Sequence, residues 1–208
     1  MPERTGRATE EVLRPVPAWG SLTGATPLRV NGWQGIAGEV VAEIQQVVFR
    51  YGWAFDDRRP EILEQCFTKD ASWEGRVMGE TTVGPFIGRE EVMRWLTRFW
   101  RYQKDQRRHI YTNLIVDEID GDEAVAYAYL QLMGSSRASS AIESVGFIRA
   151  RLRRGQSGWQ IREFLAGFDS PFWSGEVSDM SDWMRGLFGI ADLEAAVDPR
   201  PASGKERA

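Results

Sequence analysis

Apolar residues in the stretch IAGEVVAEIQQVVFRYGWAFDD recur three or four positions apart: Ile36, Val40, Ile44, Val47, Val48, Tyr51 and Phe55. Side chains at that spacing share one face of an α-helix, so the pattern predicts an amphipathic helix with its stripe turned to a core. Pro60 then opens a second, shorter helix over RPEILEQCF, with Asp57 placed to cap it. ASWEGRVM (71–78) reads as a short strand and TVGPFIG (82–88) as a glycine-punctuated turn. The helical period returns in GREEVMRWLTRFWRYQ (88–103), where Val92, Trp95, Leu96, Phe99 and Trp100 form the stripe.

Beyond that third helix the texture changes to strands. RRHIYTNLIVDEI, AVAYAYLQLMG, SAIESVGFIRARLRR and GWQIREFLAGF are four strand candidates. DGD (Asp120–Asp122) predicts a hairpin between the first two, and RGQSG (Arg154–Gly158) another between the last two. Helices first and antiparallel strands afterwards give an α+β layout, not an alternating α/β one. A curved antiparallel sheet folded over helices makes a cone with one open end, a shape suited to a small-molecule pocket.

The ends behave differently. Residues 1–35 carry prolines, glycines and threonines without sustained periodicity and predict an irregular extension, tethered by Trp19 and Trp33. The core domain is expected over 36–168. Residues 169–197 form an apolar C-terminal extension in which Trp183, Leu187, Ile190 and Leu193 are spaced for a helix. Such a segment must bury somewhere, at a subunit interface in preference to the pocket mouth. The last residues, 198–208, read as a polar disordered tail.

Composition narrows the classes. The 208 residues carry a formal charge of −4, with 42% hydrophobic and 12% aromatic residues. That balance argues against a nucleic-acid partner. The basic run RYQKDQRRH (101–109) is read as a solvated helix end, not an anion site. Cys66 is the only cysteine, so no disulfide framework or thiolate metal cluster is expected, and its setting EILEQCF suggests a small buried residue. With no signal-like start and no 18-residue apolar window, the expectation is a cytoplasmic protein that does not span a membrane.

Several short patterns occur in order along 36–168. They are Tyr51, Ala54 and Asp56; Phe67, Thr68, Asp70, Ala71 and Trp73; Gly84, Gly88, Arg89, Glu90 and Glu91; then R-H-x-x-T-N from Arg108 and V-D-x-x-D-G-D-x-A from Val116. The set resembles SnoaL-like domains of the NTF2-like superfamily, which includes dehydratases, ring isomerases, polyketide cyclases and dehydrochlorinases. It also includes non-catalytic small subunits of ring-hydroxylating dioxygenases. The resemblance implies an NTF2-like cone, and a histidine–aspartate dyad at His109 and Asp56 with Tyr51 joining the pocket.

Physical chemistry makes that pairing sensible on its own terms. His109, the only histidine, is of the one residue type that ordinarily takes and returns a proton near neutral pH. A carboxylate bonded to the ring fixes its tautomer, although Asp57 is as near in sequence as Asp56. A tyrosine hydroxyl such as that of Tyr51 can stabilise a developing oxyanion. Trp73 and Trp100 offer aromatic walls for a hydrophobic ligand. If His109 points inward, strand alternation brings Asn113 with it as a substrate contact, together with Tyr111 and Ile115. The opposite side, Ile110 to Val116, is equally apolar, so periodicity leaves the pocket face open. Glu143 and Glu163 are the carboxylates of the later strands, and the pattern orients neither.

The expected function is therefore a lyase, isomerase or cyclase of the dehydratase or polyketide-cyclase type. It would act on a hydrophobic carbonyl-bearing small molecule, need no cofactor or metal, and form a homo-oligomer, a dimer or trimer. The alternatives are a non-catalytic small subunit of a ring-hydroxylating dioxygenase and a small-molecule binding protein.

Overall fold

The structure is a computed structural model that describes residues 28–32, 34–77, 81–100, 103, 105–136 and 139–170. Trp19, Trp33 and most of the expected N-terminal extension lie outside the described residues. So do the expected apolar extension beyond Ser170 and the polar tail.

Helix α1 (Gly38–Asp56) and helix α2 (Pro60–Gln65) come first, followed by strands β1 (Phe67–Val77) and β2 (Thr81–Ile87). Helix α3 (Arg89–Phe99) leads into four long strands: β3 (Gln106–Asp120), β4 (Glu123–Ser136), β5 (Ser139–Gly155) and β6 (Gly158–Phe168). The six strands form one sheet in the order β2-β1-β6-β5-β4-β3. The α+β cone expected from the sequence is the architecture observed. Both hairpins fall where the turn residues placed them, with Gly121 and Gly158 in the left-handed region at φ 59° and 95°.

Three readings need correction. TVGPFIG is not a turn but most of β2, which pairs antiparallel with β1 around a cis Gly84–Pro85 bond. The proline sits where its missing N–H is harmless, because β2 is an edge strand. The sheet is not wholly antiparallel either: β1 runs parallel to β6, with Trp73 opposite Phe164. Finally, Asp57 does not cap α2, whose N-cap is Arg59 with no side-chain cap bond. Asp57 instead pairs on the surface with Arg108 at 3.3 Å.

The core lies between the helices and the concave face of the sheet. Ile44, Val48, Leu63, Phe67, Leu130, Ile148, Leu152 and Ile161 are fully buried there. Helix α1 comes very close to β3 at Gly52. A Cβ on that residue would lie 2.9 Å from the Tyr111 ring and 3.3 Å from the His109 Cβ. This close approach brings the end of α1 to the start of β3.

Candidate active site

Strand β3 carries the site because of how its faces alternate. Arg107, His109 and Tyr111 occupy alternate positions and turn toward α1. Pairing with β4 then slips between Thr112 and Ile115, and Asn113 adopts φ 52°. The slip is a β-bulge, which changes the phase of the strand. Val116 is buried after it and Leu114 packs on the core, whereas Ile115 is exposed. The two faces that looked equally apolar are thus one inward face interrupted by a bulge. Asn113 is exposed on that bulge and does not share the face of His109.

Asp56, the last residue of α1, is buried, and both of its oxygens bind the same residue. Its Oδ2 accepts the backbone N–H of His109 at 2.7 Å, and its Oδ1 lies 2.6 Å from His109 Nδ1. A carboxylate can only accept, so Nδ1 carries the hydrogen and Nε2 is left as the basic nitrogen. Helix C-termini disfavour a negative charge, and these two N–H groups supply the compensation. The imidazole is also fixed by aromatic neighbours: Phe55 stands edge-on at 5.1 Å between centroids, with Tyr111 at 6.1 Å and Tyr51 at 6.5 Å.

The ring lines a mostly apolar chamber of about 60 Å³, open at one side. Its walls are Tyr51, Phe55, Trp73, Trp95, Leu96, Phe99, Leu132 and Phe168, joined by Arg107 and His109. Tyr51 accepts a hydrogen bond from Trp73 Nε1 at 3.1 Å, which leaves its own O–H to donate elsewhere. Burial raises the Tyr51 phenol above its usual range, so it stays protonated at neutral pH. Trp100 packs on Phe55 at 5.6 Å, one layer behind the chamber wall. Of the residues expected from the sequence, the structure brings together His109, Asp56, Tyr51 and Trp73.

Sequence reasoning missed Arg107. The basic run around it reads as a solvated helix end, yet Arg107 lines the chamber with a side chain only 12% exposed. Counting two residues back from His109 along a strand would have placed it on the same face. Among the described residues, no three metal-ligating side chains come together. No described helix is long and apolar enough to cross a membrane.

Comparison with known proteins places this chain in a family. The profile of a family described as "SnoaL-like domain" matches residues 38–164. Among solved structures, the chain is similar to a protein from Catenulispora acidiphila in complex with S-DNPA. The two share 26% identity over 64% of this chain and 96% of that one, with a TM-score of 0.56. It is also similar to an NTF2-like protein with a cystatin-like fold from Novosphingobium aromaticivorans. That pair shares 21% identity over 67% and 86% of the chains, with a TM-score of 0.51, a likeness of fold alone. No curated protein matches the chain.

Proposed function

The chain belongs to the SnoaL-like domain family, and from that premise we propose that it is a cofactor-independent lyase, isomerase or cyclase. Its substrate is a hydrophobic, carbonyl-bearing small molecule. One observation carries the reading: a buried aspartate holds the single histidine at two points, and the ring whose Nε2 is left as the basic nitrogen lines a mostly apolar chamber.

In this mechanism Nε2 of His109 takes a proton from the carbon beside the substrate carbonyl. Asp56 fixes the tautomer beforehand and stabilises the imidazolium once it forms. Tyr51 donates its O–H to a further substrate oxygen, such as that of a departing hydroxyl, as charge develops there. The aromatic walls exclude water and lower the local dielectric, which strengthens both interactions. The proton on His109 then returns, either to carbon, moving the double bond, or to a departing hydroxyl.

Proton abstraction can be measured without the natural substrate. Acetophenone in deuterium oxide should exchange its methyl hydrogens faster with the wild-type protein than with His109→Ala. The expected loss is roughly 10²- to 10⁴-fold, the scale of one acid–base group. Equal exchange by the two proteins, with the variant's fold checked by circular dichroism, would rule out His109 as the base.

A further inference from the structure

Residues two apart in a strand project from one face about 6.6 Å from each other. Arg107 and His109 are so related, and both line the chamber. A guanidinium in a chamber wall that includes Phe99 and Phe168 is costly unless it is paired. Asp105 pairs with its Nε. Gly134 faces Arg107 in the β3–β4 register, and its missing side chain leaves the room this pair needs. A Cβ at Gly134 would lie 2.5 Å from Asp105 Oδ2 and 2.7 Å from Glu143 Oε1. Glu143 reaches that place through a second bulge. Leu132 pairs with Ser144 and Met133 with Ile142, so Glu143 is the extra residue and is turned out of ordinary alternation.

We propose that Arg107 binds the carbonyl oxygen of the substrate, and that this oxygen belongs to a neutral ketone or aldehyde, not to a carboxylate. The assignment rests on the reading of His109 as the base. Asp105 pairs with the guanidinium, and Asp105 Oδ2 and Glu143 Oε1 converge on the gap at Gly134, so among the described residues carboxylate charge gathers beside Arg107 and disfavours an incoming anion. Asp105 orients the guanidinium, whose fixed fork of N–H donors suits a carbonyl oxygen. The spacing fits a carbon acid: the C–H meets His109 while the adjacent C=O meets Arg107. As Nε2 takes the proton, the C–H electron pair becomes the new carbon–carbon π bond. The carbonyl π pair moves to oxygen, giving an enolate held by Arg107. Return of the proton to carbon restores the ketone, and loss of a β-hydroxyl, protonated as it leaves, gives the enone and water. Tyr51, which also lines the chamber, is then free for that second oxygen.

Calorimetric titration with acetophenone, ethylbenzene and benzoate tests the assignment. The wild-type protein should bind acetophenone at least about tenfold more tightly than either of the others, the scale of one charge-assisted hydrogen bond. Arg107→Met should abolish the advantage over ethylbenzene, whereas His109→Ala should keep it. The infrared carbonyl stretch of bound acetophenone should lie below its value in hexane for the wild-type protein, Tyr51→Phe and His109→Ala. That measurement identifies the donor by elimination even if Arg107→Met does not fold. Benzoate binding tightest, no preference over ethylbenzene, or a shift lost in Tyr51→Phe would each overturn the proposal. A shifted carbonyl with no hydrogen exchange would contradict the role of His109 and leave the Arg107 contact standing. Exchange without the shift would contradict Arg107 alone.

Discussion

At the scale of single residues, the site depends on a carboxylate and a missing methyl group. Asp56 is spent twice on His109, and Gly52 lets the helix carrying Asp56 approach the strand carrying His109. Gly52→Ala places a Cβ 2.9 Å from the Tyr111 ring, a rigid group with little room to retreat. The expected cost is about 1–3 kcal/mol, read as a lower urea midpoint, together with a loss of acetophenone exchange as His109 is pushed away. An unchanged midpoint would mean that the helix moves freely relative to β3. Asp56, Tyr51 and Trp73 were legible in the sequence because each is tied to an ordered pattern. Arg107 was not, because charge composition and strand alternation give opposite readings of it.

At the scale of elements, the bulge in β3 decides which side chains meet. Asn113 adopts φ 52°, a backbone conformation that glycine and asparagine tolerate and β-branched residues do not. Asn113→Val should therefore destabilise the protein by about 1–2 kcal/mol, and Asn113→Gly should be close to neutral. Asn113→Gly should also leave acetophenone exchange unchanged, since the side chain stands outside the chamber. A large loss of exchange in that variant would restore Asn113 to the site. Hydropathy periodicity picks out α1, α3 and the four late strands. It failed at β2, where Gly84 and Pro85 imitate a turn inside an edge strand, and at Asn113, because a bulge leaves no trace in hydropathy. Parallel pairing of β1 with β6 is a long-range contact that no local pattern encodes.

At the scale of the whole molecule, one core serves both stability and ligand space, and its buried acids set the alkaline limit. Burial raises the Cys66 thiol from its usual 9.0 to about 11. It also raises the phenols of Tyr51 and Tyr111. These groups hold their protons more tightly when folded than when unfolded, so stability is complete below pH 9 and falls as the unfolded chain ionises above it. Cys66 accounts for the first part of the fall, between pH 9 and 11, on the order of 2 kcal/mol. Urea midpoints across that range should decline less for Cys66→Ala than for the wild-type protein; parallel curves would show that the thiol is not buried. The single histidine makes the central claim directly measurable, because every imidazole signal belongs to His109. Nitrogen NMR of the ¹⁵N-labelled protein, with the imidazole in its neutral form, should show the hydrogen on Nδ1 and a bare Nε2, with the Nδ1 proton far downfield and lost in Asp56→Asn. Two averaged nitrogens typical of a solvent-exposed ring, or a hydrogen on Nε2 instead, would contradict the clamp on which the proposed chemistry stands.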